Sequence, residues 1–220
     1  MKTGLLQGVN LALTILAVAL CFVPLILYWR KKLAPDKSYL IISLYWAING
    51  VLYTPEIFHW QWYTRSSTLI TLYYNLIDAP LVILAFYFAF RKRIFLYLLG
   101  AFIVYELLIT VVKGFNLSSD VYIIGLGSLI ALTLNVWAIT RYFMKVPHSD
   151  TENAFVFVNA GYIFYYGLFA VVYNYNYLNE SGTELPYVVF INYTAICLAC
   201  ILLSYGMWKY AYTEYSDERF

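Results

Sequence analysis

Histidine occurs only twice in this chain, at His59 and His148, and cysteine only three times. Two histidines are too few for the three-histidine zinc centre of seven-helix amide hydrolases. They are also expected on opposite sides of a membrane, so neither is at a depth where it activates a buried serine. Cys21, Cys197 and Cys200 all fall within apolar runs, which excludes a disulfide framework in the connecting loops. Charge is scarce as well. Charged residues make up 12% of the chain, about half the share in soluble domains, and 63% of residues are hydrophobic. The formal net charge is +2 and the basic residues flank apolar runs instead of forming a patch, so no nucleic-acid partner is implied. A phosphate-binding glycine loop, a dinucleotide fingerprint and a C-terminal prenylation box are missing, and no cofactor is expected. Retinal chemistry needs a lysine near the middle of the last helix, and the only lysine there is Lys209 at its end.

What the chain has is seven apolar stretches, at 5–29, 38–59, 68–90, 94–113, 121–143, 153–176 and 186–209. At ~1.5 Å rise per residue each spans ~30 Å of hydrocarbon. The fold class is therefore all-α, a polytopic seven-transmembrane-helix bundle forming one domain over residues 1–220, with the lipid bilayer as its solvent. The first stretch is far longer than a signal-peptide core of ~7 to 15 residues, so it is expected to stay as a helix. Eleven of the 14 lysines and arginines fall in alternate connections, among them Arg30, Lys31, Lys32, Lys37, Arg91 to Arg93, Arg141 and Lys145. Only Lys2, Arg65 and Lys113 fall on the other side, and the positive-inside rule places the N-terminus outside and the C-terminus in the cytoplasm. Pro24, Pro55 and Pro80 lie in or at the ends of helices 1 to 3, whereas helices 5 to 7 have no interior proline. A parallel 3+1+3 repeat is thus allowed by topology but has no support in sequence.

Three consecutive helices carry polar residues at helical spacing. Helix 2 has Asn49, Tyr53 and Glu56, helix 3 has Thr71, Asn75 and Asp78, and helix 4 has Glu106, Thr110 and Lys113. The ends of any span become polar, which accounts for Glu56, Thr71 and Lys113. A carboxylate at the depth of Asp78 or Glu106 costs on the order of 3 kcal/mol on insertion scales, so both should face the bundle interior and have partners. Asn75 is one turn from Asp78 and is also placed to cap a carbonyl loosened by Pro80. Tyrosine is abundant, at 24 copies. On helix 6, Asn159, Tyr162, Tyr166, Tyr173 and Tyr177 share one face, which either joins helices through hydroxyl contacts or lines a polar cavity.

Two short motifs carry little. Glu56 and His59 form one copy of a Glu-x-x-His half-motif that di-iron bundles need twice. Cys197 and Cys200 lie on a stripe with Tyr193 and Ser204 that reads as a packing seam before it reads as a redox pair.

The helix-3 segment YYNLIDAPLVILAFYF, with Tyr74, Asn75 and Asp78, resembles a family of small uncharacterised seven-helix membrane proteins of Bacteroidetes-type bacteria. So do the helix-6 segment FVFVNAGYIFYYGLFAVVYNY, with Phe157 and Asn159, and the helix-7 segment INYTAICLACILLSYGMWK, with Asn192. The resemblance implies a sensory or accessory role beside a signalling partner. It departs at Ile191, where the family has a histidine beside the helix-7 asparagine.

The expected protein is a multi-pass component of the bacterial inner (plasma) membrane, receptor-like, with an outward-facing polar pocket for a small ligand. Asp78 and Glu106 carry its charge, and Asn49, Tyr53, Asn75, Asn159, Tyr162, Tyr166 and Asn192 supply hydrogen bonds. No metal and no catalytic residue is assigned, and the chain reads as a non-enzyme. The alternatives are a small-solute or proton-coupled transporter and, behind it, a lipid-modifying enzyme using Glu56, His59, Asp78 and Glu106.

Overall fold

In a bilayer every backbone N–H and C=O must find its partner within the protein, and a long apolar run does this by forming a helix. The computed structural model describes residues 2–30, 36–58, 61–173 and 186–217. Its helices are α1 (Lys2–Arg30), α2 (Lys37–Ile57), α3 (Gln61–Phe90), α4 (Arg93–Lys113), α5 (Leu117–Met144), α6 (Asp150–Tyr173) and α7 (Pro186–Asp217). No strand occurs among the described residues. Six of these helices are long and apolar enough to cross a membrane, which makes the chain a multi-pass membrane protein in contact with lipid. α2 falls outside that set because Tyr45, Trp46, Asn49 and Tyr53 dilute its apolar run.

Helices α1, α2, α3, α5, α6 and α7 close a ring in that order, and α4 packs outside it against α3 and α5. The peripheral position of α4 explains its composition. Only Phe95, Phe102 and Glu106 are buried on it, while Ile103, Val104, Leu107, Leu108, Val111 and Val112 are exposed on the lipid-facing side. Short connections make consecutive helices antiparallel. One face of the bundle therefore carries the start of α1 and the links α2–α3, α4–α5 and α6–α7, and is termed the first face. The second face carries the other helix ends.

Helices α3, α5 and α7 run past the expected spans by four residues or more at one end. α3 starts seven residues early and α7 runs eight residues further, because neither Gln61–Ser67 nor Tyr210–Asp217 contains a proline or glycine to stop the turn. α5 starts at Leu117 because Asn116 caps it: the Asn116 side chain accepts from the Ser118 and Ser119 N–H groups, and the Ser119 hydroxyl accepts from the Asn116 N–H. Tyr177, Lys31, Lys32, Arg219, His59 and the Glu56 side chain lie outside the described residues.

The tightest seam joins α6 to α7. A Cβ built on Gly161 would lie 2.9 Å from the Ala199 carbonyl oxygen, and one on Gly206 would lie 2.6 Å from that of Ala154. Backbones approach this closely only over glycine, the device membrane helices use where lipid and protein are equally apolar. Cys197 and Cys200 are buried on the same helix, and Cys200 Sγ lies 4.0 Å from Cys21 Sγ on α1, so the stripe packs α7 into the ring. At mid-bundle Trp46, Ile83, Phe86 and Tyr162 are all 2% exposed or less, with ring centroids 5.3 Å apart for Tyr45 and Trp46 and 5.6 Å for Tyr45 and Tyr162. This apolar layer separates the two halves of the interior.

Candidate functional site

Above that layer, toward the first face, the ring encloses a cavity of about 240 Å³. Its floor is the Asp78 carboxylate on α3, and three tyrosines from three helices hold it. Tyr45 on α2 donates to Asp78 Oδ1 at 2.8 Å, and Tyr74, one turn before Asp78, donates to the same oxygen at 2.8 Å. Tyr166 on α6 donates to Asp78 Oδ2 at 3.2 Å and lies 3.1 Å from the Tyr45 hydroxyl. A carboxylate out of water loses the solvation that stabilises its charge, and phenol donors are the replacement this sequence provides.

Asn49 completes the floor. Its Nδ2 donates to the Tyr45 carbonyl at 2.9 Å, which fixes the amide so that Oδ1 faces the Tyr74 hydroxyl at 2.8 Å. Tyr74 has one proton and two acceptors at the same distance, so α2 and α3 compete for it. The polar ladders of helices 2 and 3 therefore converge, with Asn49, Tyr53, Thr71, Asn75 and Asp78 all lining the cavity. Tyr166 and Asn192 line it from α6 and α7. Nearby, Gly127 lets α5 close on α3, since a Cβ there would lie 2.9 Å from the Ala79 Cβ.

No family model matches this chain, and no curated protein or solved structure matches it.

The other sequence candidates lie elsewhere. Glu106 is buried on the inner face of α4 but does not line the cavity, and its Oε1 has no hydrogen-bond partner among the described residues. The helix-4 ladder fails to join the others because α4 is outside the ring. Lys113, the nearest cation along that helix, sits over the Tyr122 ring at 4.0 Å instead. Tyr162 belongs to the apolar layer, stacked on Tyr166 at 6.1 Å between centroids. Asn75 does not cap a carbonyl near Pro80; its Nδ2 donates to Asp120 Oδ2 on α5 at 2.8 Å.

Asn159 lines a different cavity. Its Nδ2 donates to the Phe155 carbonyl at 2.9 Å, and it borders a space of about 170 Å³ toward the second face, together with Ser38, Tyr39, Arg141 and the Lys145–Glu152 ion pair. The first cavity reaches Ala79 on α3 and the second begins at Ala89, about 15 Å further along that helix. Asn159 shares a helix face with Tyr166 but is seven residues nearer the second face. A common face does not give a common depth.

Three participants were not singled out from sequence. Tyr45 extends the helix-2 ladder by one turn, and Tyr45, Asn49, Tyr53 at steps of four was a readable signal. Tyr165, in the cavity wall beside Tyr166, was hidden among many tyrosines. Asp120 is in the first turn of α5, where an acid ordinarily serves the helix dipole. Nothing short of the packing shows that it is 1% exposed and tied to Asn75. No group of three or more metal-ligating side chains occurs among the described residues.

Proposed function

We propose that this protein binds a small ligand in the Asp78 cavity and acts as a sensory or accessory signalling component of a bacterial inner membrane. In this reading the N-terminus and the first face are outside, as the distribution of lysine and arginine requires. The observation that carries it is the Asp78 floor: one carboxylate held by hydroxyls from α2, α3 and α6 beneath an open volume. A ligand that reorders those donors changes how three helices meet, and helix contacts or the basic second-face loops pass the change to a partner. Membership of the seven-helix family resembled by helices 3, 6 and 7 is part of the same proposal. Site-specific photocrosslinking from Arg141 and Lys145 in living cells tests it. Crosslinks to a membrane signalling protein whose yield changes in Asp78→Asn are expected, and yields identical in wild type and variant would contradict it.

A second reading, solute or proton-coupled transport, is favoured by the second cavity. Polar residues line a space in each half of one ring, on either side of an apolar layer about 15 Å deep, and rocking of the helices about that layer would open each side in turn. Uptake into proteoliposomes that disappears in Asp78→Asn would select transport over sensing.

A further inference from the structure

We infer that the first cavity takes a small organic cation, an ammonium compound of roughly eight heavy atoms; this rests on the reading of that cavity as a ligand site. The charge of its wall comes first. Among the lining residues Asp78 is the only carboxylate, and there is no lysine, arginine or histidine. An anion would meet a carboxylate and no countercharge, at a cost of several kcal/mol per unpaired buried ion.

The donors around the carboxylate are already in use. Tyr45 and Tyr166 direct their protons at Asp78 and Tyr74 gives its one proton to Asp78 or Asn49, so the Tyr74 and Tyr166 oxygens in the wall turn lone pairs toward a ligand. Asn49 spends one amide proton on the Tyr45 carbonyl. The floor is thus rich in oxygen lone pairs, which suits a positively charged group.

The rings decide between an organic cation and a hydrated metal ion. Tyr53, Tyr74, Tyr165, Tyr166 and Phe169 line the space from three helices, α2, α3 and α6, and aromatic faces attract an ammonium with alkyl substituents. The same wall is too apolar to replace the water shell of a small inorganic ion, because Leu52, Ile70, Ile123 and Val172 fill the gaps between the rings. A cavity of ~150 Å³ holds benzene, so one of about 240 Å³ has room for a ligand of roughly eight heavy atoms.

The test uses the full chain in nanodiscs and reads binding by calorimetry and by thermal unfolding. Probes are choline, its neutral isostere 3,3-dimethylbutan-1-ol, sodium chloride and sodium acetate, all at matched ionic strength. Choline is expected to bind saturably, at least tenfold more tightly than the neutral isostere, with no saturable response to sodium or acetate. Asp78→Asn should weaken choline at least tenfold. Should that variant not fold, Asn192→Lys places a tethered ammonium in the half-buried wall and should abolish choline binding while keeping the unfolding transition. Equal binding of choline and the isostere, or undiminished choline binding in Asn192→Lys, overturns the cation assignment and leaves a neutral-ligand site. Tighter acetate binding overturns it in favour of an anion. An absence of binding by every probe overturns it too, and the crosslinking experiment then decides separately whether the cavity signals.

Discussion

Removing one oxygen, by Tyr45→Phe, tests the floor of the cavity. The Tyr45 ring is 1% exposed and packs edge-on against Trp46 and Tyr162, so the phenylalanine ring keeps its packing and only the hydroxyl is lost. That hydroxyl lies 2.8 Å from Asp78 Oδ1 and 3.1 Å from the Tyr166 hydroxyl. Hydrogen bonds to a charged group are worth about 1.5 to 3 kcal/mol in soluble proteins. Interhelical ones in membranes average about 0.6 and reach about 1.7 kcal/mol, because the unfolded helices find other partners. A short bond to a half-buried carboxylate belongs at the upper membrane value, so the expected loss is about 1.5 kcal/mol, a factor of about 10 in the unfolding constant. Tyr166→Phe removes a longer 3.2 Å contact and should cost about half as much. Unfolding in bicelles by steric trapping measures both. A double-mutant cycle of Tyr45→Phe with Asp78→Asn should show a coupling of about 1 kcal/mol. Additive losses, or a larger loss for Tyr166→Phe than for Tyr45→Phe, would refute the placement of Asp78 at the centre of this network.

Gly206→Ala should destabilise by about 1 to 3 kcal/mol, because its new Cβ meets a backbone oxygen that cannot turn aside, whereas Gly167→Ala has open space and should be neutral or slightly stabilising; thermal unfolding of the pair reads the sign. Asp120→Ala leaves the half-buried Asn75 amide without its acceptor and should cost about 1 kcal/mol by the same assay, with Asp120→Asn recovering part of it. Lys145→Ala breaks the exposed ion pair with Glu152 and should change stability by less than about 0.5 kcal/mol, which a denaturation midpoint shows directly.

Helix number and the polarity of helices 2 and 3 were legible in the sequence because both depend on local periodicity. Seven apolar runs give seven helices, and Asn49, Tyr53, Asn75 and Asp78 at helical spacing share faces whatever surrounds them. What periodicity does not contain is the order of helices around the ring. Helix 4 reads like its neighbours, yet it packs outside the ring, and so Glu106 is buried without reaching the cavity. Depth was the second gap. Asn159 and Tyr166 share a face, but their separation along α6 puts them in different cavities. Asp120 went unnoticed because a first-turn acid has an ordinary explanation, and only a partner from another helix distinguishes it.

The central claim is that the Asp78 cavity is a ligand site reached from the first face. Thiol labelling tests it most directly, since the three native cysteines are buried and give a low background. Asn192→Cys and Thr71→Cys each put a thiol in the cavity wall. A membrane-impermeant thiol reagent added to intact cells should label both, with labelling slowed by Asn49→Trp, which fills the space. Labelling only in inverted vesicles, or no labelling from either side, would contradict the claim.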